Sequence, residues 1–292
     1  MALRILAVSV ASICLMCQSA VARTWSDGQS LSYVSGLQTM RYRLYLPANY
    51  TASKNYPLVL FMHGSGESGT NNSSQVSNHI SNLINLTESQ YPSILIAPQL
   101  PTASGWSPGN SVDLTSGILQ RVLDNYAVDD NRLYLTGLSM GGFGSMNYLD
   151  WYTDGVGIEF AAAVSLSGGY STTVNSQAVD NFNDVPIWLI HGNNDSVVSV
   201  NYSRNTYRSL IGISAATPIN FNQTIMGYPT AVNGDIRYSE IPGGGHSGWS
   251  SLYGQTTIYN WMFAQSVPEP PANVLSLTAL VGSLRLRKRR TV

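Results

Sequence analysis

Arg132-Leu133-Tyr134-Leu135-Thr136-Gly137-Leu138-Ser139-Met140-Gly141-Gly142 is the stretch that decides the fold. Its first five residues form a short apolar run typical of a buried strand, and the residues from Met140 onward begin a helical pattern. Between them the sequence matches G-x-S-x-G, a strand-to-helix turn so sharp that small residues must flank the serine. Such a turn lifts the hydroxyl above a sheet, so the stretch predicts Ser139 as a nucleophile.

Apolar runs that stop at Gly or Pro recur on both sides of this stretch, as expected for strands buried on both faces. They cover 42–46, 57–62, 93–97, 161–166, 186–190 and 236–241. Apolar residues at helical spacing lie between or after them, over 112–126, 140–151 and 253–263. The alternation predicts one α/β domain, with a mostly parallel sheet and helices on both faces.

A serine hydroxyl needs a base to take its proton, and the base needs an acid to orient it. Asp195 follows the predicted strand 186–190, and His246 lies in a glycine-rich loop after the strand 236–241. The order Ser, acid, His along the chain predicts Ser139, Asp195 and His246 as a catalytic triad. Three other acids, Asp180, Asp184 and Asp235, precede strands and would face the opposite end of the sheet. The alternatives are a surface-turn aspartate and a solvated loop histidine.

The loop His63-Gly64-Ser65-Gly66-Glu67 follows the strand 57–62, where a donor loop for the oxyanion is expected. We predict that the backbone N–H groups of Ser65 and Met140 form the oxyanion hole. His63 and His191 each precede a glycine after a strand and are predicted to shape their loops, whereas His79 is predicted to be exposed. No two histidines have metal-ligand spacing, so no metal is expected.

These motifs resemble the secreted esterase branch of the α/β-hydrolase superfamily over about residues 41–263. The branch includes feruloyl and acetylxylan esterases, polyhydroxyalkanoate depolymerase-like proteins and predicted peptidases close to dienelactone hydrolase. The resemblance implies an eight-stranded sheet, an acyl-enzyme mechanism and no cofactor. Secreted relatives often carry a disulfide near the site, but the two cysteines here, Cys14 and Cys17, both lie in the first 22 residues.

Both ends of the chain have features of export. Residues 1–22 read as a signal peptide, with Arg4, an apolar run and Ala20-Val21-Ala22, although a buried N-terminal helix is an alternative. Residues 267–292 resemble a PEP-CTERM sorting tail, which implies an exosortase-type processing enzyme and only transient membrane contact. A disordered basic tail is the alternative. The prediction is a catalytic domain over 23–266, exported to the periplasm, surface or medium of a Gram-negative bacterium.

Composition and spacing also bear on the substrate. The basic residues cluster in the tail, so no surface for nucleic acid is expected on the body. The linker 169–185 is too short for a large lid, which predicts an open site. Trp106 and Trp249 are candidates for stacking on a sugar or aromatic acyl group, or they pack the domain. We expect a carboxylic ester hydrolase, with acylated polysaccharide as a candidate substrate; a serine peptidase and a non-catalytic surface-binding protein are the alternatives.

Overall fold

A computed structural model describes residues 24–109, 111–152, 158–170, 178, 181–182 and 185–268. The predicted signal peptide, and the tail from residue 269 onward, lie outside these residues. The described part contains one sheet of ten strands. The strands are β1 Gln29–Ser35, β2 Gln38–Tyr45, β3 Tyr56–Met62, β4 Ile94–Gln99, β5 Val128–Leu138, β6 Ala162–Leu166, β7 Ile187–Gly192, β8 Gln223–Ile225, β9 Tyr228–Asn233 and β10 Ile236–Ile241.

The strand order is β1-β2-β4-β3-β5-β6-β7-β10-β9-β8. The six central strands from β4 to β10 run parallel, and two antiparallel strands flank them on each side. The predicted mostly parallel sheet is therefore confirmed, but the expected count of eight strands is wrong. The extra strands include the hairpin β8–β9, which extends the sheet beyond β10.

Helices cover both faces of the sheet, as predicted. They are α1 Ser74–Ser77, α2 Ser81–Asn85, α3 Ser111–Asn125, α4 Met140–Tyr152, α5 Asn201–Leu210, α6 Trp249–Leu252 and α7 Thr256–Met262. The side chains of β3 pack against the helices on both faces of the sheet. Leu58 and Leu60 pack with α3 and α4 on one face, whereas Val59 and Phe61 pack with α2 and α7 on the other. Successive side chains of a strand point to opposite faces, so a continuous apolar run is needed here.

The helix predicted over 253–263 corresponds to α7 alone, which begins later than expected, at Thr256. Helix α6 ends at Leu252, with Tyr253 as its C-cap, and α7 begins at Thr256 after Gly254 and Gln255. No helix among the described residues is long and apolar enough to cross a membrane.

The chain between β6 and β7 is too short for a large lid. The parallel strands β3, β5, β7 and β10 end at one edge of the sheet, where the loops that follow them meet.

Candidate active site

Ser139 lies in the turn between β5 and α4, with φ of 53° in the left-handed region. The glycines on either side are required by close packing of the backbone. A Cβ on Gly137 would lie 2.2 Å from the carbonyl oxygen of Gly141, and one on Gly141 would lie 2.0 Å from that of Met62. The backbone N–H of Ser139 donates to Leu166 of β6 at 2.9 Å, which ties the turn to the neighbouring strand. A strained non-glycine residue held in this way is typical of a functional position.

The structure brings Ser139, His246 and Asp195 into one hydrogen-bonded chain. Oγ of Ser139 lies 2.9 Å from Nε2 of His246, and Nδ1 of His246 lies 2.6 Å from Oδ2 of Asp195. Because a carboxylate only accepts, Nδ1 donates to Asp195, which leaves Nε2 free to accept the serine proton.

The loops after β7 and β10 place the acid beside the histidine. The N–H of Asn194 donates to Gly244 at 2.9 Å, and the N–H of Gly243 donates to Oδ1 of Asn193 at 2.7 Å. The backbones approach so closely that a Cβ on Gly192 would lie 2.2 Å from the carbonyl oxygen of Gly244. The loops after β7 and β10 therefore form one unit, and their contact sets the distance between Asp195 and His246.

Asp195 is held as a carboxylate by four contacts. Its Oδ1 accepts from the N–H groups of Val197 and Val198 at 2.9 and 2.8 Å, while Oδ2 faces His246 and His191. Burial raises the pKa of Asp195, but the hydrogen bonds from Val198, His246 and Val197 outweigh it and keep the pKa below its ordinary value. The acid is therefore charged at neutral pH.

The loop after β3 lies against the turn that carries the serine, because a Cβ on Gly64 would lie 2.9 Å from the side chain of Leu138. Ser65 begins a short 3₁₀ helix, Ser65–Glu67, and Met140 begins α4. The first N–H groups of a helix have no intrahelical acceptor, so both predicted donors are available.

His63 is buried and fixes this loop, in the role predicted for it. Its Nδ1 donates to the carbonyl oxygen of Gly64 at 2.6 Å, and its Nε2 accepts from the N–H of Leu100 at 2.9 Å. Burial lowers the pKa of His63 to about 4, against a smaller opposing effect of the bond to Gly64.

Neither tryptophan offers the exposed face that a stacking role needs, so this prediction is corrected. Trp106 is 2% exposed, and its indole donates to the carbonyl oxygen of His63 at 3.1 Å. Trp249 is 8% exposed and donates to Oγ of Ser167 at 3.0 Å. Its ring packs edge-to-face on His246, with centroids 4.9 Å apart and planes at 89°. Trp106 therefore supports the loop after β3, and Trp249 supports His246.

A polar pair beside the site was missed. His79, predicted to be simply exposed, has Nε2 3.3 Å from Oε1 of Glu67 and packs edge-to-face on Trp249 with centroids 5.1 Å apart. Oε2 of Glu67 is buried without a hydrogen-bond partner among the described residues. The polar run around His79 gives no sign of these contacts, although the charge of Glu67 in an otherwise neutral loop is one available signal. Within the described ranges, no group of three or more His, Cys, Asp or Glu side chains could hold a metal ion.

Curated relatives are feruloyl esterases. The chain is 30% identical over 189 residues to the "Probable feruloyl esterase C" of Aspergillus terreus, which covers 62% of this chain and 66% of that protein. It is 27% identical over 234 residues to the "Feruloyl esterase C" of Emericella nidulans, covering 74% and 79%. The chain thus spans just under two thirds of the Aspergillus terreus protein.

Solved structures share the fold. A thermostable esterase superposes with a TM-score of 0.68 at 29% identity, covering 83% of this chain and 64% of that one. An acetyl xylan esterase from Aspergillus awamori superposes with a TM-score of 0.62 at 16% identity, covering 80% and 98%. The fold is that of α/β-hydrolase esterases. A family model described as "Putative esterase" matches residues 37–214, more than half of the chain. The chain therefore belongs to this esterase family.

Proposed function

We propose that the protein is a serine carboxylic ester hydrolase with Ser139 as nucleophile, His246 as general base and acid, and Asp195 as the orienting acid. The observation that carries the proposal is the hydrogen-bonded chain from Oγ of Ser139 through His246 to Asp195, at 2.9 and 2.6 Å. Membership of the esterase family supports the same reaction class.

The geometry supports a two-step reaction. Nε2 of His246 takes the hydroxyl proton as Oγ of Ser139 attacks the ester carbonyl carbon, and the N–H groups of Ser65 and Met140 stabilise the resulting oxyanion. His246 then gives the proton to the departing alcohol oxygen, and the acyl group remains on Ser139. In the second step His246 deprotonates a water that attacks the acyl carbon. His246 then gives this proton to Oγ of Ser139 as the acyl–oxygen bond breaks, which releases the carboxylic acid and restores the free enzyme.

Bulky, water-soluble esters are the proposed substrates, with acylated polysaccharides among them. The relatives are named feruloyl esterases, and the fold neighbours include an acetyl xylan esterase. The site also has exposed surroundings: Ser65 and Ser247 are exposed, and the side chain of Val197 is 70% exposed.

Export of the protein and removal of its C-terminal tail remain predictions. Measuring the intact mass of the mature protein from cell fractions would test both.

The test is hydrolysis of p-nitrophenyl acetate and butyrate by the full chain, with fluorophosphonate labelling in parallel. We expect the wild type to label and turn over, and Ser139→Ala to lose both, with kcat lower by about 10⁴-fold or more. Ser145→Ala is the matched control. This serine lies on the same helix and donates to the carbonyl oxygen of Gly141 at 2.9 Å, so its loss perturbs α4 without removing the nucleophile.

Hydrolysis assays on feruloylated polysaccharides, acetylated polysaccharides and a panel of peptides then distinguish esterase activity from peptidase activity. A folded wild type that neither labels nor hydrolyses any of these substrates would overturn the proposal and leave a surface-binding role.

A further inference from the structure

A second histidine contacts the triad acid. Nε2 of His191 lies 3.3 Å from Oδ2 of Asp195, the same oxygen that accepts from His246 at 2.6 Å. The His191 side chain is completely buried at the end of β7. The mechanism above makes no use of this ring.

The contacts of His191 show which nitrogen carries a hydrogen. Nε2 faces two acceptors, the carbonyl oxygen of Val198 at 3.1 Å and Oδ2 of Asp195, so it must donate. One N–H shared between two oxygens is a three-centre hydrogen bond, which accounts for both distances being long.

The other side of the ring is anchored. Nδ1 of His191 lies 2.7 Å from Oγ of Ser203 on α5, and that hydroxyl donates to the carbonyl oxygen of Gly168 at 2.6 Å. Because Nε2 carries the ring hydrogen, Nδ1 accepts, and the single hydrogen of Ser203 is shared between Nδ1 and this carbonyl oxygen. Ser203 is fully buried. The ring is therefore fixed between α5 and the segment that follows β6, and it presents Nε2 to Asp195 in one orientation.

Two carboxylates lie near His191, and the one that its ring contacts is Asp195. Glu240 lies beside His191 in the register of β10 with β7, but its two oxygens accept from Arg204 at 3.0 and 2.8 Å and from the hydroxyl of Tyr238 at 2.8 Å. Burial lowers the pKa of His191, and the hydrogen bonds to Val198 and Asp195 oppose this effect only in part. At neutral pH the ring is therefore neutral, with its hydrogen on Nε2.

We propose that His191 is a positioning residue of the triad, which holds Oδ2 of Asp195 toward His246 and shares the carboxylate's charge with it. This inference rests on the proposed ester hydrolase activity. Without the second donor, Asp195 stabilises the imidazolium form of His246 more strongly and is less firmly oriented. The enzyme would then lose its neutral base at a higher pH and turn over more slowly.

The test compares His191→Phe, which keeps a ring but cannot donate, with His191→Gln, whose amide nitrogen lies near the position of Nε2 and can donate. For His191→Phe we expect kcat to fall by about 10-fold or more, with KM little changed. The acid limb of its pH–rate profile should move to higher pH by about half a unit or more. His191→Gln should recover part of the rate and return the acid limb toward the wild-type position.

Trp188→Phe is the matched structural control. Trp188 lies on the same strand, is fully buried and donates to Oγ of Ser239 at 2.9 Å, but it does not contact Asp195. We expect it to lower the thermal midpoint and leave the pH profile unchanged. Circular dichroism checks that each variant folds. Should His191→Phe be folded and match wild type in kcat and in the acid limb, the proposal is overturned.

A rate loss without a shift of the acid limb, or one that Gln does not recover, would also overturn it and leave His191 a purely structural role. An inactive wild type would instead refute the ester hydrolase proposal itself.

Discussion

Acid should destabilise this protein through the buried ring of His63. The ring is fully buried, and its Nε2 accepts a hydrogen from the N–H of Leu100 at 2.9 Å. Burial penalises the charged ring and lowers the pKa of His63 to about 4, against an ordinary value of 6.5. The unfolded chain has no such constraint.

The sign and size follow from the difference between the two pKa values. Between pH 6.5 and 4 the unfolded state binds the proton and the folded state does not, so stability is full above this window and falls as the pH decreases through it. Between pH 7.5 and 5 the loss from His63 alone is about 2 kcal/mol. Below about pH 4 the folded state is also protonated, and this group contributes no further loss.

Urea unfolding of the wild type and of His63→Phe at pH 7.5 and pH 5 isolates the effect. Phe keeps the ring volume but leaves the N–H of Leu100 unpaired, so the variant is less stable at both pH values. The remaining titratable groups are common to both proteins and cancel in the comparison. We expect the wild type to lose about 2 kcal/mol more than the variant between the two pH values. Equal losses in the two proteins would refute the assignment of a neutral, buried His63.

Two further predictions concern the groups around the triad. Trp249→Leu removes the edge contact with His246 and the bond to Ser167, so we expect kcat on p-nitrophenyl butyrate to fall by about 10-fold with KM little changed; wild-type kcat would contradict this. Burial raises the pKa of Glu240, but the bonds from Arg204 and Tyr238 prevail and lower it, so its stabilisation is present above its ordinary value and lost as pH falls. Glu240→Gln should therefore have a lower thermal midpoint at pH 7 and a shallower decline from pH 6 to 3, and a parallel decline would contradict the reasoning.

The site could be predicted largely because its residues occupy fixed places relative to strands. Ser139 follows β5, Asp195 follows β7 and His246 follows β10, and parallel strands bring these three ends to one edge of the sheet. Strand ends are visible in sequence as apolar runs that stop at Gly or Pro. The position of each residue along the chain was therefore sufficient to group them.

The flanking strands were not predictable in the same way. Strand β1, Gln29–Ser35, is mostly exposed and polar, and β8 is exposed or half-buried along its three residues. Neither forms an apolar run, because each lies at an edge of the sheet, where one side has no neighbouring strand within the described ranges. Their pairing is decided by the adjacent strand and by turns such as Gly36, with φ of 59°, and not by their own composition.

The composition of a single segment also could not reveal that Trp106 and Trp249 are buried, or which residues the histidines contact. An aromatic residue close to a catalytic histidine in sequence is consistent with a platform or with packing, and only the burial of Trp249 decides between them. The contacts of His79 with Trp249 and of His63 with Leu100 join residues far apart in the chain. Such contacts depend on how loops from different strands fold over one another, which a pattern along one segment does not contain.

Three histidines lie at or after the ends of strands at the same edge of the sheet, and their hydrogen-bond partners give each a different chemistry. His63 accepts from a backbone N–H on Nε2, and His191 directs Nε2 at two oxygens, so neither has a nitrogen free to accept a substrate proton. His246 alone among the three has Nε2 facing a hydroxyl, while a carboxylate fixes Nδ1. A neutral His191 avoids a second cation near His246, which would oppose the imidazolium proposed to form there. The lowered pKa of His191 is therefore consistent with the role proposed for His246.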